Sequence, residues 1–246
     1  MAKKTVTLDD FEGFSSKGLN FLRDLKKNNE REWFQARRDV YETELKLPVA
    51  KLIVAVAEEL AANKLKLTGD PKTSLFRLNR DVRFSRDKSP YKTHLGIVFS
   101  PDGRKNSNGL LYIHIDPAKS FWATGFYYPE QQALDALRQR IATKPQQIRE
   151  TLKKLAKCGL ELSEDSSALK RLPRGFEKVE DEDIQELVKQ KSYIVVRDMD
   201  KSCLKKPDEL IEGTIQFAKD SYSLLEFGWS ALAPKPKQKR PDFEWD

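Results

Sequence analysis

The fold turns on the stretch Leu95-Gly96-Ile97-Val98-Phe99, the breakers Pro101-Asp102-Gly103 and Asn106-Ser107-Asn108-Gly109, and then Leu111-Tyr112-Ile113-His114-Ile115 with Asp116-Pro117 behind it. Leu95, Ile97 and Phe99 alternate with their neighbours, as do Leu111, Ile113 and Ile115, and a period of two marks a strand with one buried face. Phe76, Leu78, Val82 and Phe84 upstream, and the aromatic-rich run Phe121 to Tyr128 downstream, continue the alternation. Short breaker-rich loops between consecutive strands favour antiparallel neighbours, so Ser74 to Tyr128 is predicted to form a meander of three or four strands. With an even register sum in the central hairpin, His94 faces the same side as Tyr112, His114 and Asp116.

On both sides of this region the apolar spacing changes to three and four. Leu19, Leu22 and Leu25 predict a helix that stops at Asn28-Asn29. A second helix is expected from near Glu30, carrying Trp33, Phe34, Arg37, Val40, Tyr41 and Leu45, and Pro48 opens a third with Leu52, Ile53, Val56, Ala57 and Leu60. Beyond Pro129 come the stripe Leu134, Leu137, Ile141 and a helix from Pro145 with Ile148, Leu152 and Leu155. A short helix near Asp183 to Gln190 and a strand at Tyr193 to Val196 follow. Pro207 then begins a long helix with Ile211, Ile215, Ala218, Tyr222 and Leu225 on one face. Helices, then strands, then helices predict an α+β fold, an antiparallel meander sheet in the middle of the chain covered by N- and C-terminal helices. Residues 1–13 read as an N-terminal arm, 14–232 as a single domain and 233–246 as a disordered tail of mixed charge.

The chain of 246 residues needs no disulfide or metal to close a core, and its 13 Phe, 7 Tyr and 4 Trp argue against disorder despite 34% charged residues. Cys158 and Cys203 form no Cys-x-x-Cys pair, which excludes a disulfide scaffold, a zinc ribbon and a thioredoxin-type motif and suits a reducing cytoplasm. No apolar run approaches a membrane span, so no membrane partner is expected. Gly-x-Gly-x-x-Gly and Walker-type loops are absent, and Ser85, Ser89 and Ser100 lack the settings of a catalytic serine. His94, His114 and Asp116 lack the close spacing of a metal set, so neither metal nor cofactor is expected. Of the net charge of +7, residues 77–105 alone carry +5, which directs any anionic partner there.

Within that segment lies Arg80-Asp81-Val82-Arg83-Phe84-Ser85-Arg86-Asp87-Lys88-Ser89-Pro90-Tyr91-Lys92. Strand alternation would set Arg80 beside Val82 and Phe84 on an apolar face, where a guanidinium requires a carboxylate or a ligand anion. Asp87-Lys88-Ser89-Pro90 has turn chemistry that would gather Lys88, Tyr91 and Lys92. Arg80, Arg83, Lys88 and Lys92 are therefore candidate clamps for a phosphate or carboxylate, with Tyr91 as hydrogen-bond donor. The partner expected is an anionic small molecule, with nucleic acid as the second choice. An enzyme on a phosphorylated or carboxylated small molecule is the alternative, with Asp81 or Asp87, aided by His94, moving a proton. A further alternative is a ligand-free corner in which Arg80, Asp81, Arg83 and Asp87 neutralise one another. Phe121, Trp122, Phe126, Tyr127 and Tyr128 offer either core filling or a stacking surface for bases. The sequence leaves oligomeric state open.

The run Arg-Asp-x-Arg-Phe-Ser-x-Asp-Lys-x-Pro-Tyr-Lys resembles the signature of a widespread bacterial and fungal family of conserved hypothetical proteins, a domain of unknown function. Asn28-Asn29, Trp33-Phe34 with Arg37 and Tyr41, and Gly125-Phe126-Tyr127-Tyr128-Pro129 are similar to that family's pattern, and the resemblance runs from about Phe14 to Phe227. It implies a cytoplasmic α+β domain. It singles out Arg80, Asp81, Arg83, Asp87, Lys88, Tyr91 and Lys92 as the family's site without implying a reaction, and it places His94 where members are expected to vary.

Overall fold

Ser15 starts the first helix, its hydroxyl accepting from the Gly18 amide at 3.0 Å, and α1 runs Ser16–Lys27 to the predicted stop at Asn28. The computed structural model describes residues 11–233. The single helix predicted from Glu30 is instead α2 (Arg31–Gln35), α3 (Arg38–Tyr41) and a π-helical turn at Glu42–Lys46. Arg37 leaves helical geometry at φ −128°, ψ 18°, and across that break Phe34 and Tyr41 meet at 5.5 Å around the Phe21 ring. Helix α4 (Leu47–Ala62) follows, with Pro48 in its first turn and Leu52, Ile53, Val56 and Leu60 fully buried.

The sheet comprises β1 (Leu95–Phe99), β2 (Leu110–Ile115), β3 (Ser120–Phe126) and β4 (Tyr193–Met199), antiparallel throughout and in spatial order of sequence. Gly96 pairs with His114, the even register on which the facing of His94 depends. Between β3 and β4 lie α5 (Gln131–Thr143), α6 (Pro145–Lys157) and α7 (Glu182–Lys189); a 3₁₀ turn at Lys201–Lys205 leads into α8 (Pro207–Leu232).

Period-two geometry sends Leu95, Ile97, Phe99, Leu111, Ile113, Ile115, Trp122 and Phe126 to one face, where all are buried against helices. Helix α8 crosses that face. The Trp122 indole donates to Thr214 Oγ1 at 2.9 Å, and Arg197 of β4 pairs with Asp220 at 2.8 Å. The other face, with Tyr112, His114 and Phe121, stays partly exposed.

The strand predicted over Phe76 to Phe84 does not form. Residues 68–79 follow the free edge of β1 through isolated bridges, Thr68 to Ser100 and Leu75 to Ile97, and residues 81–89 leave the sheet as a loop. Val82 and Phe84 consequently face no core, and Phe84 is 97% exposed. The cause is local: Asp81 and Asp87 pair with arginines of the same segment, which fold it on itself instead of along a neighbour. At the opposite edge, Leu162 bridges Val195 and the Ser163 amide donates to the Ile194 carbonyl at 2.8 Å.

Most of the expected arm and tail lie outside the described residues; of the arm, Phe11 is described, and it is buried edge-on against Phe14. Among the described residues no helix is long and apolar enough to cross a membrane.

Helix α8 approaches the sheet so closely that a Cβ on Gly228 would lie 2.1 Å from the Phe126 ring, which is itself fully buried. Gly228→Ala should therefore destabilise the protein by about 1–3 kcal/mol from overpacking, although alanine favours an exposed helix by about 1 kcal/mol. Denaturant unfolding of the two proteins checks the sign.

Candidate functional site

The segment from Arg80 to Lys92 folds as a long loop closed by a short ladder. Asn79 bridges Tyr91, the Arg80 amide donates to the Pro90 carbonyl at 2.8 Å, and the Lys92 amide to the Leu78 carbonyl at 2.8 Å. From α1–α2, Asn29 clamps this ladder by accepting from the Tyr91 amide at 3.0 Å and donating to its carbonyl at 2.9 Å, as another strand would. Tyr91 is thereby turned into the core, stacked on Phe34 at 4.2 Å, and alternation turns its neighbour Lys92 the other way.

The charged groups read from the sequence do not converge on one open spot. Arg80 pairs with Asp87 and donates to the Ser89 carbonyl at 3.2 Å. Arg83 makes a bidentate pair with Asp81, at 2.9 and 2.7 Å. Lys88 Nζ lies 3.0 Å from the Val82 carbonyl, across the loop. Hydrogen bonds from Ser89 and Arg80 hold the Asp87 carboxyl down at about 2, and the Arg83 guanidinium holds Asp81 below its ordinary value. Both acids stay ionised at neutral pH inside the loop's own charge pairs.

Lys92 stands apart from this arrangement. Its ammonium sits 5.0 Å from the centre of the Phe76 ring, and Lys105 Nζ, from the loop between β1 and β2, sits 5.5 Å from the same ring. Burial lowers both lysines below their usual value, and the charges of Arg77 and Lys105 lower Lys92 further; neither lysine pairs with a carboxylate among the described residues. Asp102 builds the loop that carries Lys105, accepting from Ser107 and Ser100 and from the Arg104 amide at 3.1 Å. Trp229 of α8 fixes its far end by donating to the Asn108 carbonyl at 3.0 Å.

These two lysines and Phe76 form one side of a cavity of about 770 Å³ on the uncovered face of the sheet, with Tyr112, Phe121 and Tyr127 along the rest. Its size is that of an ordinary small-molecule site. Gly96 makes the floor possible: a Cβ there would lie 2.8 Å from the Tyr112 hydroxyl and 3.1 Å from Phe76, rings that close over β1 in a T-shaped contact of 6.3 Å.

Beside the cavity His94 and His114 stack at 4.2 Å, and His114 stacks in turn on Phe121 at 4.5 Å. The Tyr112 hydroxyl lies 3.1 Å from His114 Nδ1. Burial and the His94 ring lower His114 to about 4 against the opposing pull of Asp116, and burial with the nearby Lys92 charge lowers His94. Among the described residues no group of three or more His, Cys, Asp and Glu is placed to hold a metal ion.

Sequence reasoning singled out Lys92 but missed Lys105, Phe76 and Tyr112. Lys105 closes the basic run, and the hairpin breakers around it were the available signal, since they return that loop to the β1 edge.

Residues 17–227 match the family described as Conserved hypothetical protein (DUF2461), and the chain belongs to it. Neither a curated protein nor a solved structure matches the chain.

The histidine pair gives the fold a pH dependence of definite sign. A histidine whose pKa is lower folded than unfolded stabilises the protein above its unfolded value near 6.5, and that contribution is lost as pH falls toward the folded value, here about 4 for His114. The acids with lowered values act only below about pH 4, so thermal stability should fall between roughly pH 6.5 and 4 mainly through the histidines. Melting curves of a His94→Gln, His114→Gln double variant should be distinctly flatter across that window.

Proposed function

We propose that this DUF2461 protein binds a small anionic molecule, phosphate- or carboxylate-bearing, on the open face of its sheet, with Lys92 and Lys105 holding the anion. One observation carries the reading: two partly buried ammonium groups flank the Phe76 ring with no carboxylate among the described residues paired to them. Like charges gathered in partial burial raise the free energy of the empty site, and an anion entering between them relieves both the repulsion and the lost hydration.

The strand–turn segment enters this reading as the scaffold. Arg80 and Arg83 pair with its own acids, Lys88 ties the loop together, Tyr91 anchors it in the core, and Lys92 is the group it delivers. Tyr112 takes the part first read for Tyr91, a phenol at the edge of the ligand volume. Binding is better supported than catalysis by Asp81 or Asp87, because general acid–base work at neutral pH calls for a carboxylate raised toward 7 and both of these are lowered. A cytoplasmic setting belongs to the same proposal, supported by the free thiols Cys158 and Cys203.

Thermal unfolding with added inorganic phosphate or succinate, at low salt, tests the site. Either anion should stabilise the wild type. Charge-assisted hydrogen bonds of about 1.5–3 kcal/mol predict that Lys92→Gln or Lys105→Gln weakens binding at least about tenfold, with Arg83→Ala binding as wild type. Wild type indifferent to both anions overturns the proposal, and loss confined to Arg83→Ala would move the anion to the loop.

A further inference from the structure

Tyr127 lines the cavity at its rim and is 70% exposed, directly after Phe126, which ends β3 fully buried. Two unusual backbone positions bracket this reversal. Gly125 has φ +133°, with the Tyr193 carbonyl so close that a Cβ there would lie 2.1 Å from it. Tyr128 has φ +42°, a left-handed conformation that costs an aromatic residue free energy and persists only where its surroundings impose it. Here the surroundings are explicit: the Tyr128 hydroxyl donates to Asp165 at 3.3 Å and accepts from Ser167 at 3.2 Å. Asp165 is itself fixed by the Lys191 amide at 2.7 Å. The Tyr128 ring in turn braces Tyr127 edge-on, with centroids 4.7 Å apart. Strain and a tethered brace thus hold an aromatic ring in water at a cavity rim, an arrangement that core packing does not require.

The cavity is also electrically lopsided. Lys92 and Lys105 crowd around Phe76, and Lys119, paired with Asp198 at 3.4 Å, lines the cavity at the start of β3, the end of that strand away from Tyr127, whereas Glu130, immediately before α5 and three residues after Tyr127, brings a carboxylate to the Tyr127 end. A phosphate is drawn to the lysines and repelled by the carboxylate, leaving the Tyr127 rim to a neutral part of the ligand. A neutral part that gains from an exposed, braced phenol ring is a flat π system, and the Glu130 carboxylate can accept from an amino group on its edge.

We propose that the occupant is a nucleoside phosphate, its base stacked on Tyr127 and its phosphate between Lys92 and Lys105. This assignment rests on the anion site proposed above and adds the ring. The same base–sugar–phosphate chemistry occurs in a free nucleotide and in single-stranded nucleic acid; the free nucleotide is favoured because Glu130 shares the cavity and works against a continuing chain of phosphates.

Calorimetric titration of the full chain separates these terms, using adenosine 5′-monophosphate, ribose 5-phosphate, adenosine and a ten-nucleotide single-stranded oligoadenylate. Adenosine monophosphate should bind about tenfold or more tighter than ribose phosphate, the size of one base–aromatic stack. Tyr127→Ala should erase that advantage and Tyr127→Phe keep it, while Lys105→Gln weakens both phosphates by a similar factor. The Tyr127 side chain is exposed, so its variants are expected to fold, which melting curves verify. Equal binding of the two phosphates with the lysine dependence intact overturns the nucleotide assignment and leaves the anion site standing. Absence of binding by either phosphate overturns both. An oligonucleotide that binds more tightly than the mononucleotide and is released steeply by salt would overturn the assignment in favour of the polymer.

Discussion

A sheet whose alternate side chains must choose between two faces, only one of which is covered by helices, governs what this protein can do. Helix α8 lies against β2 and β3 closely enough that Gly228 has no room for a Cβ beside Phe126 and Gly213 only a tight fit, 3.1 Å, beside Trp122. That closeness commits Leu111, Ile113, Trp122 and Phe126 to the core, and the pleat then commits Tyr112, His114 and Phe121 to the opposite side. Tyr112 and Phe121 stand on the cavity side because their strand neighbours are packed under a helix, and Lys92 because Tyr91 is turned inward on Phe34.

The densest motif in the chain serves this arrangement indirectly. Its acids and bases are close in sequence and pair locally, so they shape a loop before any of them can serve a ligand. The output of the loop is a two-residue alternation pinned by Asn29: Tyr91 goes inward to Phe34 and Lys92 outward to Phe76. Burial of one residue sets the direction of the next, and a side chain from α1–α2 supplies what a partner strand would have supplied.

The central strands and the long last helix were legible in the sequence because their periodicities are unbroken and their ends carry Gly, Pro, Asn or Asp. Leu95 to Ile115 is the clearest instance, whereas the facing of His94 hung on an even register that the spacing left open and that the pairing of Gly96 with His114 supplies. The strand predicted across Phe76 to Phe84 failed because alternation there coincides with pairs of opposite charge two and seven residues apart, which favour a closed loop. Lys105 was hidden for a different reason: a lysine in a hairpin loop has no local pattern to mark it, and only folding brings it within reach of Phe76. Alternation after Phe126 turns Tyr127 outward, but no spacing of apolar residues encodes the left-handed backbone of Tyr128, whose ring braces it.

Residues 68–79 run along β1, and Leu162 with Ser163 lie along β4, each by scattered hydrogen bonds without becoming a full strand. Irregular cover of this kind occupies backbone donors and acceptors that would otherwise template an incoming chain, while offering no flat rim of its own to extend. Strand addition is therefore hindered along β1 and at the Ile194–Val195 end of β4. In a protein with 34% charged residues, those partly occupied borders work together with electrostatic repulsion against the edge-to-edge stacking from which fibrils grow.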